Sequence, residues 1–257
     1  MSRFGNLEFD SSDEERAVEK PAEARDEAHF LSQAAKSFEA GRFEQALRSY
    51  AKALEFNPKG AAAWTGQVRM LIELGEFEEA RVWADKALSI FPDEPELLAA
   101  KAVALARCGD LAGAISYSDA AIESRGNTPY IWLSRADVLL ARAEKRADYC
   151  FEKALSLAGN HWFVLWLASR IQAFYKHFAK GLKLAQEALA QAGDRAAVWL
   201  QAGQCQLALG LAVQARNSFD QARELDPECD AQAWQSKAAE TTFLDKLGAR
   251  WRQWFRS

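Results

Sequence analysis

AAAWTGQVRMLIELGEFEEARVWADKALSIFP, residues 61–92, is the stretch on which the fold turns. Gly75 stands just past an apolar-periodic segment, where a residue in the left-handed region commonly ends a helix. Phe91 and Pro92 close the second half, because proline can neither donate to a helix nor continue it. Between these marks lie Ala80 and Ala87, residues small enough to let two antiparallel helices approach within about 8–10 Å. The stretch therefore reads as a helical hairpin.

Moving outward, the same small residues recur along the chain. Ala53, Ala87, Ala121, Ala154, Ala188 and Ala222 are separated by 34, 34, 33, 34 and 34 residues. A second ladder, Ala46, Ala80, Ala114, Ala147, Gly181 and Ala215, has the same spacings in the same order. Two ladders that lose one residue at the same place identify a repeat rather than an alanine-rich composition. Gly41, Gly109 and Gly210 mark further turns within hairpins, and Asn57–Pro58 and Asp226–Pro227 mark turns between them. The predicted hairpins span 27–56, 61–90, 95–124, 129–157, 162–191 and 196–225. Two of them depart from the pattern at their turns: the fourth lacks the glycine, and the fifth has Lys176 and His177 there.

With its 34-residue unit, early Trp64, turn glycine, small second-helix residues and closing proline, the chain resembles the tetratricopeptide repeat family. Trp132 and Trp199 occupy the early aromatic site in other repeats, where Phe30, Leu98 and Leu165 stand elsewhere. The resemblance covers about 27–227 and implies an all-α superhelix, a right-handed solenoid of six hairpins (27–58, 61–92, 95–126, 129–158, 162–193, 196–227). It is specific for the fold and says little of the partner, since one architecture serves many.

Composition narrows the function. With 49% hydrophobic and 26% charged residues the chain can build a sizeable core. A net charge of −4 argues against nucleic acid, whose binders usually displace counterions with a basic surface. Cys108, Cys150, Cys205 and Cys229 are far apart, and with His29, His161 and His177 they make no metal spacing, so reduced packing thiols, no metal and no cofactor are expected. No phosphate-loop, nucleophile-elbow or zinc-protease pattern occurs, and an enzyme is not expected. Without an apolar leader or spanning stretch, the expected compartment is the cytoplasm.

Both ends differ from the repeats. Residues 1–26 carry eight acids and four bases and are expected to form a disordered acidic tail, in which Phe4, Leu7 and Phe9 stand out as apolar anchors. Residues 228–257 are expected to form a helix capping the apolar end of the stack. Its end, GARWRQWFRS, alternates Trp251, Trp254 and Phe255 with arginines, a pattern suited to an anionic membrane or to a partner protein.

The resemblance implies that the first helix of each hairpin lines the inner, ligand-bearing face. Read at helical spacing, that face carries Arg69 and Ile72, then Val103 and Arg107, then Tyr130, Leu133, Asp137 and Leu140. Phe163, Trp166, Arg170, Phe174 and His177 form a stripe spaced 3, 4, 4 and 3 residues, followed by Leu200, Gln204 and Leu207. Two arrangements are open. The stripe lines a groove for a helix or an extended apolar peptide, or it packs on Tyr130, Leu133 and Leu140 with Asp137 paired to Arg170. The carboxylate clamp of chaperone-binding members is missing, since Ala28, Ala35, Ala62 and Arg69 occupy its faces. A protein-binding adaptor is the leading reading. An RNA-binding repeat protein built on Arg69, Arg107, Arg135 and Arg170, or an adaptor recruited to a membrane by the C-terminal segment, is the alternative.

Overall fold

A computed structural model describes residues 26–124, 126–231 and 234. The N-terminal anchors Phe4, Leu7 and Phe9, the basic aromatic residues Trp251, Trp254 and Phe255, and nearly all of the expected capping helix lie outside the described residues.

Among the described residues there are twelve α-helices and no strand: α1 Glu27–Glu39, α2 Phe43–Phe56, α3 Ala61–Leu74, α4 Phe77–Leu88, α5 Pro95–Cys108, α6 Leu111–Glu123, α7 Pro129–Ala141, α8 Ala147–Leu157, α9 Trp162–Phe174, α10 Phe178–Leu189, α11 Ala196–Ala208 and α12 Ala212–Leu225. Each odd-numbered helix folds back on the next as a hairpin, and each hairpin stacks on its neighbours. Pro95 and Pro129 open α5 and α7 at a position where a missing N–H costs nothing. Asp26 and Asp110 cap α1 and α6, their carboxylates accepting from the N–H of His29 and Gly113 at 2.9 Å.

All six hairpin turns close with one hydrogen-bond pattern. After α3 the Gly75 N–H donates to Ile72 O and the Glu76 N–H to Leu71 O, so the freed carbonyls of the last turn are satisfied. Gly41, Gly75, Gly109 and Gly210 hold the required left-handed conformation at φ of +75, +86, +94 and +78°. At the two turns without glycine the same conformation is forced on Ala143 (φ 57°) and Lys176 (φ 62°), with the same bonds, Lys176 N–H to Ala173 O and His177 N–H to Gln172 O. The stacking geometry thus overrides the local preference of these two residues.

Both ladders are buried throughout. Every alanine in them is at most 1% exposed, and Gly181 is buried where α9, α10 and α11 meet. A β-carbon on Gly181 would sit 3.2 Å from Cys205 Sγ and from Ser169 O. The early tryptophans tie each hairpin to the loop before it: the indole N–H of Trp64, Trp132 and Trp199 donates to Pro58 O, Asn127 Oδ1 and Gly193 O.

Candidate functional site

The superhelix turns far enough that its first two hairpins face its last two. The aromatic stripe of α9 fills the space between. The Phe38 and Phe163 rings meet edge to face at 5.1 Å, and Phe43 stacks on Trp166 with centroids 6.1 Å apart and planes 18° apart. Trp166 is 1% exposed and its indole N–H donates to Ala197 O of α11 at 3.1 Å. Arg170 lies over the Phe43 ring at 4.5 Å and forms a 2.6 Å ion pair with Glu73 of α3. Phe77, at the start of α4, meets Phe174 at 5.8 Å. At the rim, Arg42 pairs with Asp226 at 2.8 Å, joining the first turn to the end of α12.

The stripe takes part in both expected arrangements: Phe163 and Trp166 share a core with Leu133 and Leu140, while Trp166, Arg170 and Phe174 also border open space. Within that same apolar cluster Phe163 and Trp166 pack on α1 and α2 across the superhelix. The partner of Arg170 is Glu73 rather than Asp137. Asp137 pairs instead with Arg107 at 2.6 Å, with side chains 2% and 8% exposed, and accepts a second bond at 2.6 Å from the Tyr175 hydroxyl. Burial opposes the Arg107 charge, but the adjacent Asp137 carboxylate outweighs it and raises the guanidinium pKa further. Burial, then the Asp137 charge, pushes the Tyr175 phenol up, so it stays a neutral donor. Burial pushes the Tyr130 phenol up to about 12, against the pull of Arg69. Arg69 lies over Tyr130 at 3.8 Å and Phe38 at 5.1 Å.

Other predicted site residues separate in the same way. Leu133 is 1% exposed and belongs to the core. His177 is exposed and its Nδ1 lies 3.0 Å from Gln172 Oε1, which anchors the turn before α10. Phe174 stays 44% exposed, with the Arg107 guanidinium 4.1 Å from its ring centroid.

What remains open is a cleft beside the bridging side chains, made of two adjoining cavities. One, of about 460 Å³, is bounded by Phe77, Arg107, Phe174, Phe178, Gln204 and Trp234. The other, of about 620 Å³, lies between the first hairpin turn and the end of α12, bounded by Phe43, Trp166, Leu200 and Gln204. Its charged lining is Glu44, Glu73, Asp226, Glu228 and Asp230 against Arg42 and Arg170, and both guanidiniums are already paired. Leu200 and Gln204 were expected on the inner face. Phe43, Glu73 and Phe77 were not, and their one sequence signal is their closeness to the hairpin turns. Among the described residues no group of three His, Cys, Asp or Glu side chains converges to hold a metal, and no helix is long and apolar enough to cross a membrane.

Twelve helices in stacked hairpins, with buried small-residue ladders, define a helical-repeat superhelix. The tetratricopeptide repeat family model matches residues 37–104, about a quarter of the chain, and the same hairpin architecture continues through α12. Among similar solved structures is a tetratricopeptide repeat protein from Parabacteroides merdae, 17% identical, with a TM-score of 0.52 over 86% of this chain and 87% of that one. The human IFIT1 dimer with m7Gppp-AAAA is also 17% identical, with a TM-score of 0.52 over 83% of this chain and 55% of that one. The APC/C hetero-tetramer Cut9–Hcn1 is 14% identical, with a TM-score of 0.50 over 83% of this chain and 43% of that one, so the chain spans less than half the length of that relative. No curated protein matches the sequence. At these identities the likeness is one of fold.

Proposed function

We propose that the chain is a non-enzymatic scaffold that holds another protein in the cleft between its first and last hairpins. The observation that carries this reading is the lining of that cleft, where exposed aromatic surface at Phe174 adjoins a rim with five carboxylates and two guanidiniums. Aromatic pockets give a peptide its anchoring area, and the charge of a rim selects among partners and speeds their arrival. The partner expected here is an extended or helical peptide whose apolar side chains are flanked by lysine or arginine.

The relative IFIT1 is seen with a capped RNA, which brings the RNA reading into view. Phosphate recognition needs cations that can displace counterions. The arginines proposed for that stripe are otherwise engaged: Arg107 with Asp137, Arg170 with Glu73, Arg135 with Asp119 at 2.6 Å, and Arg69 between aromatic rings. The protein-binding reading therefore stands ahead of the RNA one.

A photo-reactive amino acid placed at Gln204, inside the cleft, should capture a discrete protein in the chain's own cells. The same group at the exposed Glu152, on the outer helix α8, should not. Equal capture at both positions, or adducts to nucleic acid alone, would refute the reading.

A further inference from the structure

The acidic cleft has a complement within the same chain. After Trp234, which lines both cavities, the sequence runs on through residues 235–257, and the ten residues GARWRQWFRS carry three arginines, two tryptophans and a phenylalanine with no acidic side chain. This is the chemistry expected of the cleft's external partner. We propose that residues 248–257 dock in cis in the cleft and compete with the protein the scaffold holds. The proposal rests on the reading of this cleft as the partner site.

Three observations support the match. First, charge: the cleft lining holds Glu228 and Asp230, both exposed, beyond the acids paired with Arg42 and Arg170, while the segment brings Arg250, Arg252 and Arg256. Second, surface: Phe174 is 44% exposed at the cavity wall, which offers an aromatic face to Trp251, Trp254 or Phe255. Third, tether: residue 248 is 14 positions beyond Trp234, so the segment starts within at most roughly 46–50 Å of chain from the cleft wall. The segment begins its path at the cleft.

A short tether holds its end at an effective concentration of the order of millimolar. A contact with a millimolar dissociation constant between separate molecules would then be occupied about half the time in cis. An external partner meets a cleft that is free in only a fraction of molecules, and its apparent affinity falls by that fraction. Because opposite charges hold the segment, its occupancy weakens as salt rises.

The test uses the full chain with p-benzoylphenylalanine in place of Trp254. Irradiation at about 50 mM salt should give intramolecular adducts on residues 40–45, 72–77, 170–178, 197–204 or 226–230. Raising the salt to about 500 mM should lower their yield about fivefold, as should the exposed pair Glu228→Lys and Asp230→Lys. Trypsin should cleave after Arg250 and Arg252 about tenfold faster in that double variant than in the native chain, with the helical circular dichroism unchanged. Adducts lying elsewhere, or unmoved by both salt and charge reversal, would overturn the proposal. Adducts found only on lipid, when phosphatidylserine vesicles are added, would overturn it in favour of a membrane contact. Capture at Gln204 is read separately, so the segment can fail while the scaffold reading stands.

Discussion

Two kinds of interface hold this molecule together, and they differ in how they are built. Consecutive hairpins meet through alanine and glycine, with helices in direct contact along buried ladders. The first two hairpins and the last two meet through long side chains: Phe43 on Trp166, Arg170 to Glu73, Phe77 on Phe174 and Arg42 to Asp226. The first kind is set by residues about 34 apart and repeats with the sequence. The second joins residues 97 and 184 positions apart and occurs once. Repeat stacks accumulate a small rotation per unit, so what faces what across the axis follows from the sum of all the turns. A seam of side chains also leaves space beside it, and that space is the cleft.

The largest expected effect lies where the two kinds meet, in the buried group of Arg107, Asp137 and Tyr175. Asp137→Ala would leave an Arg107 side chain that is 8% exposed without its carboxylate, and removal of one partner from a buried ion pair costs about 3–5 kcal/mol. Urea unfolding of the variant measures this loss; a change no larger than that of a surface substitution would show the group to be dispensable. Next come the neighbour interfaces. Ala80→Leu or Ala114→Leu should cost about 1–3 kcal/mol by overpacking, as should Gly203→Ala, whose new carbon would lie 2.4 Å from the fully buried Phe219 ring. Glu78→Gln on the exposed side of α4 should leave the thermal midpoint where it is.

These substitutions also mark how far residues alone carry the reading. The ladders and turn glycines point to helical hairpins because each reflects a contact between near neighbours, where a small residue or a left-handed turn is required. Ala143 and Lys176 show the complement: the turn survives without glycine because five other hairpins fix the stacking distance. Of the inner face, Arg107, Asp137, Trp166, Arg170 and Phe174 are identifiable by helical spacing, but their partners are not. Glu73, Phe38 and Phe43 meet the stripe only after the superhelix has come round, and no periodicity in the chain encodes that meeting.

A pH dependence of about a few kcal/mol or less separates the buried phenols from exposed ones. The Tyr130 and Tyr175 phenols titrate above their ordinary value of 10.0 in the folded chain. The folded state therefore keeps protons that the unfolded chain releases, and the stability they contribute is intact below pH 10 and falls as pH rises beyond it. Tyr175→Phe should flatten part of that fall between about pH 10 and 12, read from denaturation midpoints across the range. A variant with the native slope would separate Tyr175 from the effect. The smallest effect is a gain: Lys176→Gly relieves a left-handed residue at φ 62° and should stabilise the fifth hairpin by about 0.5–1 kcal/mol. No gain would mean that the Lys176 side chain makes a compensating contact.

The seam itself is tested most directly by a covalent link across it. A β-carbon on Gly41, in the first hairpin turn, would lie 3.1 Å from Ala197 Cβ at the start of α11, close enough to cross-link once the turn gives by a few tenths of an ångström and carries the cost of a left-handed cysteine, about 1–2 kcal/mol. A chain carrying Gly41→Cys and Ala197→Cys, with its four native cysteines replaced, should oxidise to an intramolecular disulfide. Its small-angle scattering radius should be the same before and after reduction. Cysteines that link only between molecules, or that stay reduced in a chain whose helical circular dichroism and thermal midpoint are native, would contradict the account, because the first and last hairpins would then not meet.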